Sequence, residues 1–195
     1  MSATKETFED FYVSYMKETH ECLNLVSRIE VEATVELLWK AYTTGNHVWV
    51  AGNGGSATNA IHFACCLSQG TMVNGKRPLR CESLVGNIAN FTATANDWGY
   101  EQVFVKQLEN CLNPNDIFIA ISCSGNSPNM VAACDYAHHH GGHVISLLGF
   151  GGGKMRDLSH QVIYIDNYNY GQVETIHISL AHLISQYLKS RIAAQ

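Results

Sequence analysis

Asp116-Ile-Phe-Ile-Ala-Ile-Ser-Cys-Ser-Gly-Asn-Ser-Pro128 passes from strand to turn to helix without a linker. Its apolar, β-branched half reads as a buried strand. The Ser/Gly/Asn half reads as a turn, and Pro128 suits the first turn of a helix running to about His140. The same order occurs at His47-Val-Trp-Val-Ala51, then Gly52-Asn-Gly-Gly-Ser56, then a helical stretch from Ala57 to about Ser68. A third strand, His143–Leu148, leads into Gly149-Phe-Gly-Gly-Gly153 and a short helix. A fourth, Val162–Ile165, precedes a long closing helix from about Gly171 to Arg191. Residues 86–111 read as helical, broken near Asn96-Asp-Trp-Gly99. The first forty residues read as two helices, on the spacing of Phe8, Phe11, Tyr12 and Tyr15 and of Val31, Val35, Leu38 and Trp39. Strands alternating with helices predict a parallel sheet covered on both faces, an α/β/α sandwich. Ligands of such sheets bind beyond the carboxyl ends of the strands, where both Ser/Gly/Asn turns fall.

A chain of 195 residues has the size of one domain, and no linker or repeat marks a second. The expected layout is one domain over 1–195, with helices in 1–45 used for oligomerisation and a binding core in 46–195. Twelve Lys+Arg against 17 Asp+Glu give a net charge of −5, which argues against nucleic acid and anionic membranes as partners. Charged residues are only 15% of the chain, which suggests that copies of the chain cover part of its surface. The start, MSATKETFEDFY, lacks the apolar stretch of a signal peptide. Seven cysteines without CxxC spacing then read as reduced thiols in a cytoplasmic protein.

The two turns offer anion chemistry without a cation. Ser122-Cys-Ser-Gly-Asn-Ser127 places three hydroxyls around a glycine directly before a helix start, where backbone N–H groups and the helix dipole favour a phosphate. Asn53-Gly-Gly-Ser56 offers the same beside it. No GxxxxGK[ST] loop is present. Gly52-Asn-Gly-Gly-Ser-Ala57 approaches the dinucleotide fingerprint but lacks an acidic residue about twenty positions on.

Ala51-Gly-Asn-Gly-Gly-Ser-Ala57, Ile121-Ser-Cys-Ser-Gly-Asn-Ser-Pro128 and Gly151-Gly-Gly-Lys-Met155 resemble the SIS (sugar isomerase) family, and more narrowly its phosphoheptose isomerase branch. His62-Phe-Ala64, Ala95-Asn-Asp97 and Ile176-His-Ile…His182 extend the resemblance over nearly the whole chain. It implies a flavodoxin-like core and a homotetramer with sites between subunits. The implied activity is interconversion of sedoheptulose 7-phosphate and D-glycero-D-manno-heptose 7-phosphate through an enediol. By the same resemblance, Ser122, Cys123, Ser124 and Ser127 form the phosphate cradle. Asn53, Gly54, Gly55 and Ser56 line the site, and Asn96 and Asp97 face the sugar. Cys123 stands where the family usually has Thr.

The resemblance also maps a zinc set onto His62, Cys66, Glu174 and His182. Cys66 replaces a family glutamate and Glu174 a family glutamine. His62 and Cys66, four apart in a helix, differ by ~40° around its axis and can reach one point. Glu174 and His182, eight apart, differ by ~80° and ~12 Å of rise, near the limit for one metal on a straight helix. Sharing would require Glu174 to precede the helix, or the pair to be divided between subunits. We assign the base to Glu174, with Cys66 as the alternative, the acid/base partner to His182, and carbonyl polarisation to zinc. Two other readings stay open: a non-catalytic SIS module resembling the relative that associates with the replication initiator, and an isomerase or epimerase of another sugar phosphate.

Overall fold

The computed structural model describes residues 6–195, so Met1–Lys5 of the mixed-charge start lie outside the described residues. In chain order the elements are α1 (Phe8–Leu25), α2 (Arg28–Thr44), β1 (Val48–Gly52), α3 (Gly55–Ser68), β2 (Cys81–Ser83), α4 (Ile88–Trp98), a 3₁₀ turn at Tyr100–Gln102, α5 (Val105–Cys111), β3 (Ile117–Ser122), α6 (Pro128–His139), β4 (His143–Leu148), α7 (Met155–Leu158), β5 (Gln161–Tyr164) and α8 (Tyr170–Ala193). The sheet is parallel throughout, in the order β2-β1-β3-β4-β5. That order reverses between β1 and β3, so the crevice at their carboxyl ends is the topological switch point.

Alternation along the strands builds two cores. Val48, Val50, Ile117, Ile119, Ile145 and Leu147 face one side with Leu38, Phe63, Leu67, Ile176 and Ile184 from α2, α3 and α8. Trp49, Ala51, Phe118, Ala120, Val144 and Leu148 face the other, with Phe104, Leu108, Met130 and Ala133 from the α5–α6 side. The α/β/α sandwich expected from the strand-helix alternation is present. One strand escapes the sequence reading: β2 has three residues, with exposed Glu82 at its centre, too short for any periodicity to register. The helical stretch 86–111 breaks at Gly99, whose φ is 88°. No helix among the described residues is long and apolar enough to cross a membrane.

All seven cysteines are free; Cys81, Cys123 and Cys134 are buried. At the amino ends of β1 and β3, buried Asp116 accepts hydrogen bonds from His47 N (2.8 Å), Asn113 N (3.0 Å) and Trp49 Nε1 (3.3 Å). The His138–His140 run ends α6 exposed, as its position near a helix C-terminus favours. α1 buries no side chain of its own; Gln172 of α8 reaches it, donating to Tyr15 O at 3.3 Å.

His177, on the inner face of α8, is 1% exposed and neither ring nitrogen has a hydrogen-bond partner among the described residues. The nearby Leu148 carbonyl already accepts Ile165 N–H at 2.9 Å. Burial pushes the His177 pKa down to about 3, opposed by that carbonyl. The ring is therefore neutral in the fold, and the unfolded chain takes up the proton first. Its contribution to stability is complete above about pH 6.5 and is lost as pH falls towards 3, at about 1.4 kcal/mol per pH unit. Denaturant melts between pH 7 and pH 4 should show a shallower acid loss for His177→Leu than for the parent chain; equal slopes would mean that the ring is charged when folded.

Candidate active site

Both glycine-serine turns sit where the strand order reverses. β1 ends at Gly52 and α3 begins at Gly55, while β3 ends at Ser122 and α6 begins at Pro128. The starts of these two helices differ from those of the other long ones. Thr7, Ser27, Asn87 and Asn169 cap α1, α2, α4 and α8 with side-chain hydrogen bonds. Neither Gly54 at the start of α3 nor Ser127 at the start of α6 makes one. The first N–H groups of a helix have no partner within it. Those of Gly55 and Ser56, and those of Ser124 and Ser127 in the second turn, find no acceptor among the described residues. Amides left free beside a positive dipole end attract an anion, worth about 0.3–2 kcal/mol for each helix end.

The second turn is braced from within and from outside. Ser122 Oγ accepts Gly125 N–H at 3.0 Å and Ser124 Oγ accepts Asn126 N–H at 3.3 Å. Lys154 N–H donates to Asn126 Oδ1 (3.1 Å) and Met155 N–H to the Gly125 carbonyl (3.0 Å). Lys154 is therefore a turn residue whose backbone holds the loop. Gly125 has φ 64°, and a Cβ there would overlap the Gly152 carbonyl, so the two loops touch backbone to backbone. Both serine oxygens, of Ser122 and Ser124, accept from their own turn, but Ser122 is buried while Ser124 is half-buried and nearer the opening. Cys123 departs from the expected cradle: its side chain is buried in the core beside the Ser56 hydroxyl. Burial and the Glu174 carboxylate push its thiol pKa up to about 11. It packs, and only its backbone borders the turn.

Asn53 is similarly committed. It exchanges amide hydrogen bonds with Asn129 of α6 (Nδ2 to Oδ1 2.8 Å, and 2.9 Å in return) and accepts the Tyr100 hydroxyl at 2.9 Å. This clamp fastens one turn to the other. Asn129 and Tyr100 carry no signal in the sequence, because neither belongs to a recognisable spacing. Asn96 and Asp97 lie exposed at the end of α4, where Asn96 Nδ2 donates to Asp97 Oδ1 at 2.8 Å. The neighbouring Tyr100 ties that segment to the turns.

α3 and α8 run side by side in the same direction. Near the start of α3, a Cβ on Gly55 would collide with the Glu174 carboxylate, which therefore covers the glycine. Asn59 Nδ2 donates to the Glu174 main-chain carbonyl at 2.9 Å and pins the two helices in register. Two turns further, His62 Nε2 and His182 Nε2 lie 3.3 Å apart, and Cys66 Sγ lies 3.9 Å from His182 Nδ1. Their ligand atoms all fall within 4.8 Å of one another. Two imidazoles and a thiol form a donor set suited to zinc. Burial and neighbouring Cys65 raise the Cys66 pKa, partly opposed by a hydrogen bond with Ser185, which disfavours a free thiolate base. Glu174 does not join the three ligands. It is the fifth residue of α8, inside the helix and not before it, so the full ~12 Å of helical rise separates it from His182.

The sequence profile described as "SIS domain" matches residues 12–149. A phosphoheptose isomerase of Mycobacterium tuberculosis (strain ATCC 25177 / H37Ra) is 33% identical over 194 residues, covering 98% of this chain and 97% of its own length. One from Aquifex aeolicus (strain VF5) is 34% identical over 152 residues, 78% of this chain and 79% of its own. The solved structure of a phosphoheptose isomerase from Neisseria gonorrhoeae superposes with a TM-score of 0.86 at 26% identity, covering 94% of this chain and all of that one.

Gly125→Ala tests whether the braced turn holds the anion. The methyl must displace the Gly152 backbone or the turn, and a misplacement near 1 Å costs on the order of a hundredfold in a positioned site. Calorimetry with inorganic phosphate should show at least a tenfold weaker Kd, with circular dichroism confirming the fold; an unchanged Kd would place the anion elsewhere.

Proposed function

We propose that this chain, which belongs to the SIS domain family and within it to the phosphoheptose isomerases, interconverts sedoheptulose 7-phosphate and D-glycero-D-manno-heptose 7-phosphate through an enediol. It is a sugar phosphate isomerase: relatives named phosphoheptose isomerase, one of them matching 98% of this chain, favour the enzyme over a non-catalytic binding module. The observation that carries the mechanism is the pairing of two uncapped helix starts with a carboxylate and a histidine along the α3–α8 pair.

In this reading the free amides of Gly55, Ser56, Ser124 and Ser127, with the hydroxyls of Ser124 and Ser127, bind the phosphate. Ser122 and Asn53 shape the cradle and Gly54 opens it, while Asn96 and Asp97 face the sugar from α4. The reacting carbons lie in the groove between α3 and α8. Glu174, whose negative charge is favoured beside the α3 N-terminus, removes the proton from the carbon next to the carbonyl and returns it to the neighbouring carbon. His182 moves the hydroxyl proton between the two oxygens. His62, Cys66 and His182 would hold zinc, and the thiolate would favour zinc over magnesium. Bound there, the metal would supply polarisation of the substrate carbonyl. Glu174 would complete the set only through a second copy or a rearranged side chain.

A homotetramer is part of the same reading. Phe8, Phe11, Tyr12, Val13 and Met16 of α1 are all more than half exposed, an apolar face that a second copy would cover. The cytoplasm, with its reduced thiols, is the compartment that suits seven free cysteines.

Exchange of carbon-bound protons with solvent, followed by NMR on a panel of heptose, hexose and pentose phosphates with and without chelator, tests the function. Sedoheptulose 7-phosphate should exchange, chelation should slow it, and Glu174→Gln should cut the rate by about 10²–10⁴ while leaving phosphate binding nearly intact. Full exchange in Glu174→Gln would remove Glu174 as the base, and no exchange with any sugar phosphate would remove the isomerase.

A further inference from the structure

Four consecutive residues after β4 have positive φ: Phe150 at 48°, then Gly151, Gly152 and Gly153 at 85°, 89° and 56°. Glycine adopts that conformation freely, but a phenylalanine does so only under constraint. The ring at 150 is therefore held in place against its backbone preference. It stacks on Tyr168 (centroids 5.6 Å, planes 18° apart) and meets Tyr170 edge-on (4.5 Å, 70°). Phe150 is half-buried against the edge of the core, while Tyr168 and Tyr170 are 72% and 60% exposed, so the cluster has an open side.

Its place in the fold is specific. Tyr170 precedes Glu174 by one turn of α8, and neighbours four apart share a helix face. Since Glu174 lies against Gly55 at the start of α3, Tyr170 projects about 6 Å beyond that start, over the carboxyl edge of the sheet. Phe150 is joined to the other turn: Gly149 N–H donates to the Cys123 carbonyl at 2.9 Å, and the Gly152 carbonyl abuts Gly125. Phe150 is thus joined to the Ser122–Ser127 turn through its own loop, and Tyr170 stands one helical turn before Glu174, beside Tyr168 and the α1 side of the same edge.

We infer that Phe150, Tyr168 and Tyr170 form an aromatic shelf that receives the carbon chain of the sugar phosphate and sets specificity for it. A sugar presents C–H groups on one side and hydroxyls on the other. An aromatic face matches the first, and the tyrosine hydroxyls can serve the second. The amides recognise phosphate on any carrier, so a contact with the chain is what separates a sugar ester from the free anion. This rests on the sugar phosphate reading of the same site.

Calorimetric titrations of the full chain with sedoheptulose 7-phosphate and with inorganic phosphate test it, using Tyr170→Ala and Phe150→Gly. The glycine relieves the positive φ, so loss of the ring is not confounded with loss of the fold. Each variant should bind the sugar phosphate about tenfold more weakly and inorganic phosphate within about twofold of the parent. Unchanged affinity for both ligands would overturn the shelf and leave the phosphate site standing. Equal losses for both would also overturn it, by assigning the rings to the shape of the phosphate turn. A parent chain that binds neither ligand would overturn the sugar phosphate reading and the shelf with it.

Discussion

Unserved backbone N–H groups at the starts of α3 and α6 are the constraint on which the rest of the site depends. A helix start left without a side-chain cap is a cost unless something else accepts those hydrogen bonds. The other long helices avoid that cost with Thr, Ser or Asn caps. The two helices that do not follow β1 and β3, adjacent strands at the switch point of the sheet. Their dipoles converge on one crevice, and no Lys or Arg is needed in either turn.

Much of the surrounding structure exists to keep those amides in place. The Gly151–Gly153 loop packs against Gly125 so closely that neither backbone tolerates a side chain at the contact. The Asn53–Asn129 pair joins the turns directly, and Tyr100 adds the α4 side to the clamp. Asn59 then sets α8 against α3, fixing where Glu174 and His182 stand relative to the anion cup. The free amides at the start of α3 and the Glu174 carboxylate therefore lie close together. Two imidazoles and a thiol lie two turns further along.

Strand-turn-helix order was legible because β-branched runs and Gly/Ser/Asn turns are local signals, and the parallel sheet follows from their alternation. β2 was not, since a three-residue edge strand has no period to read. Both turns could be read as candidate anion sites, but the division of labour within them could not. The inward Cys123, the self-bonded Ser122 and the clamped Asn53 depend on partners far away in sequence. Helical spacing correctly brought His62 to Cys66. The same arithmetic warned that Glu174 stands far from His182, and the helix start at Tyr170 removes the escape of placing Glu174 outside it. That His177 is buried with no hydrogen-bond partner among the described residues emerges only from packing.

The amide signals of the chain report most directly on whether neutral helix starts hold a dianion. In ¹⁵N-edited NMR spectra recorded during titration with sedoheptulose 7-phosphate, the backbone resonances of Gly55, Ser56, Ser124 and Ser127 should move together and saturate with one affinity. Saturable shifts confined to residues around surface lysines and arginines, with those four amides unmoved, would contradict the account.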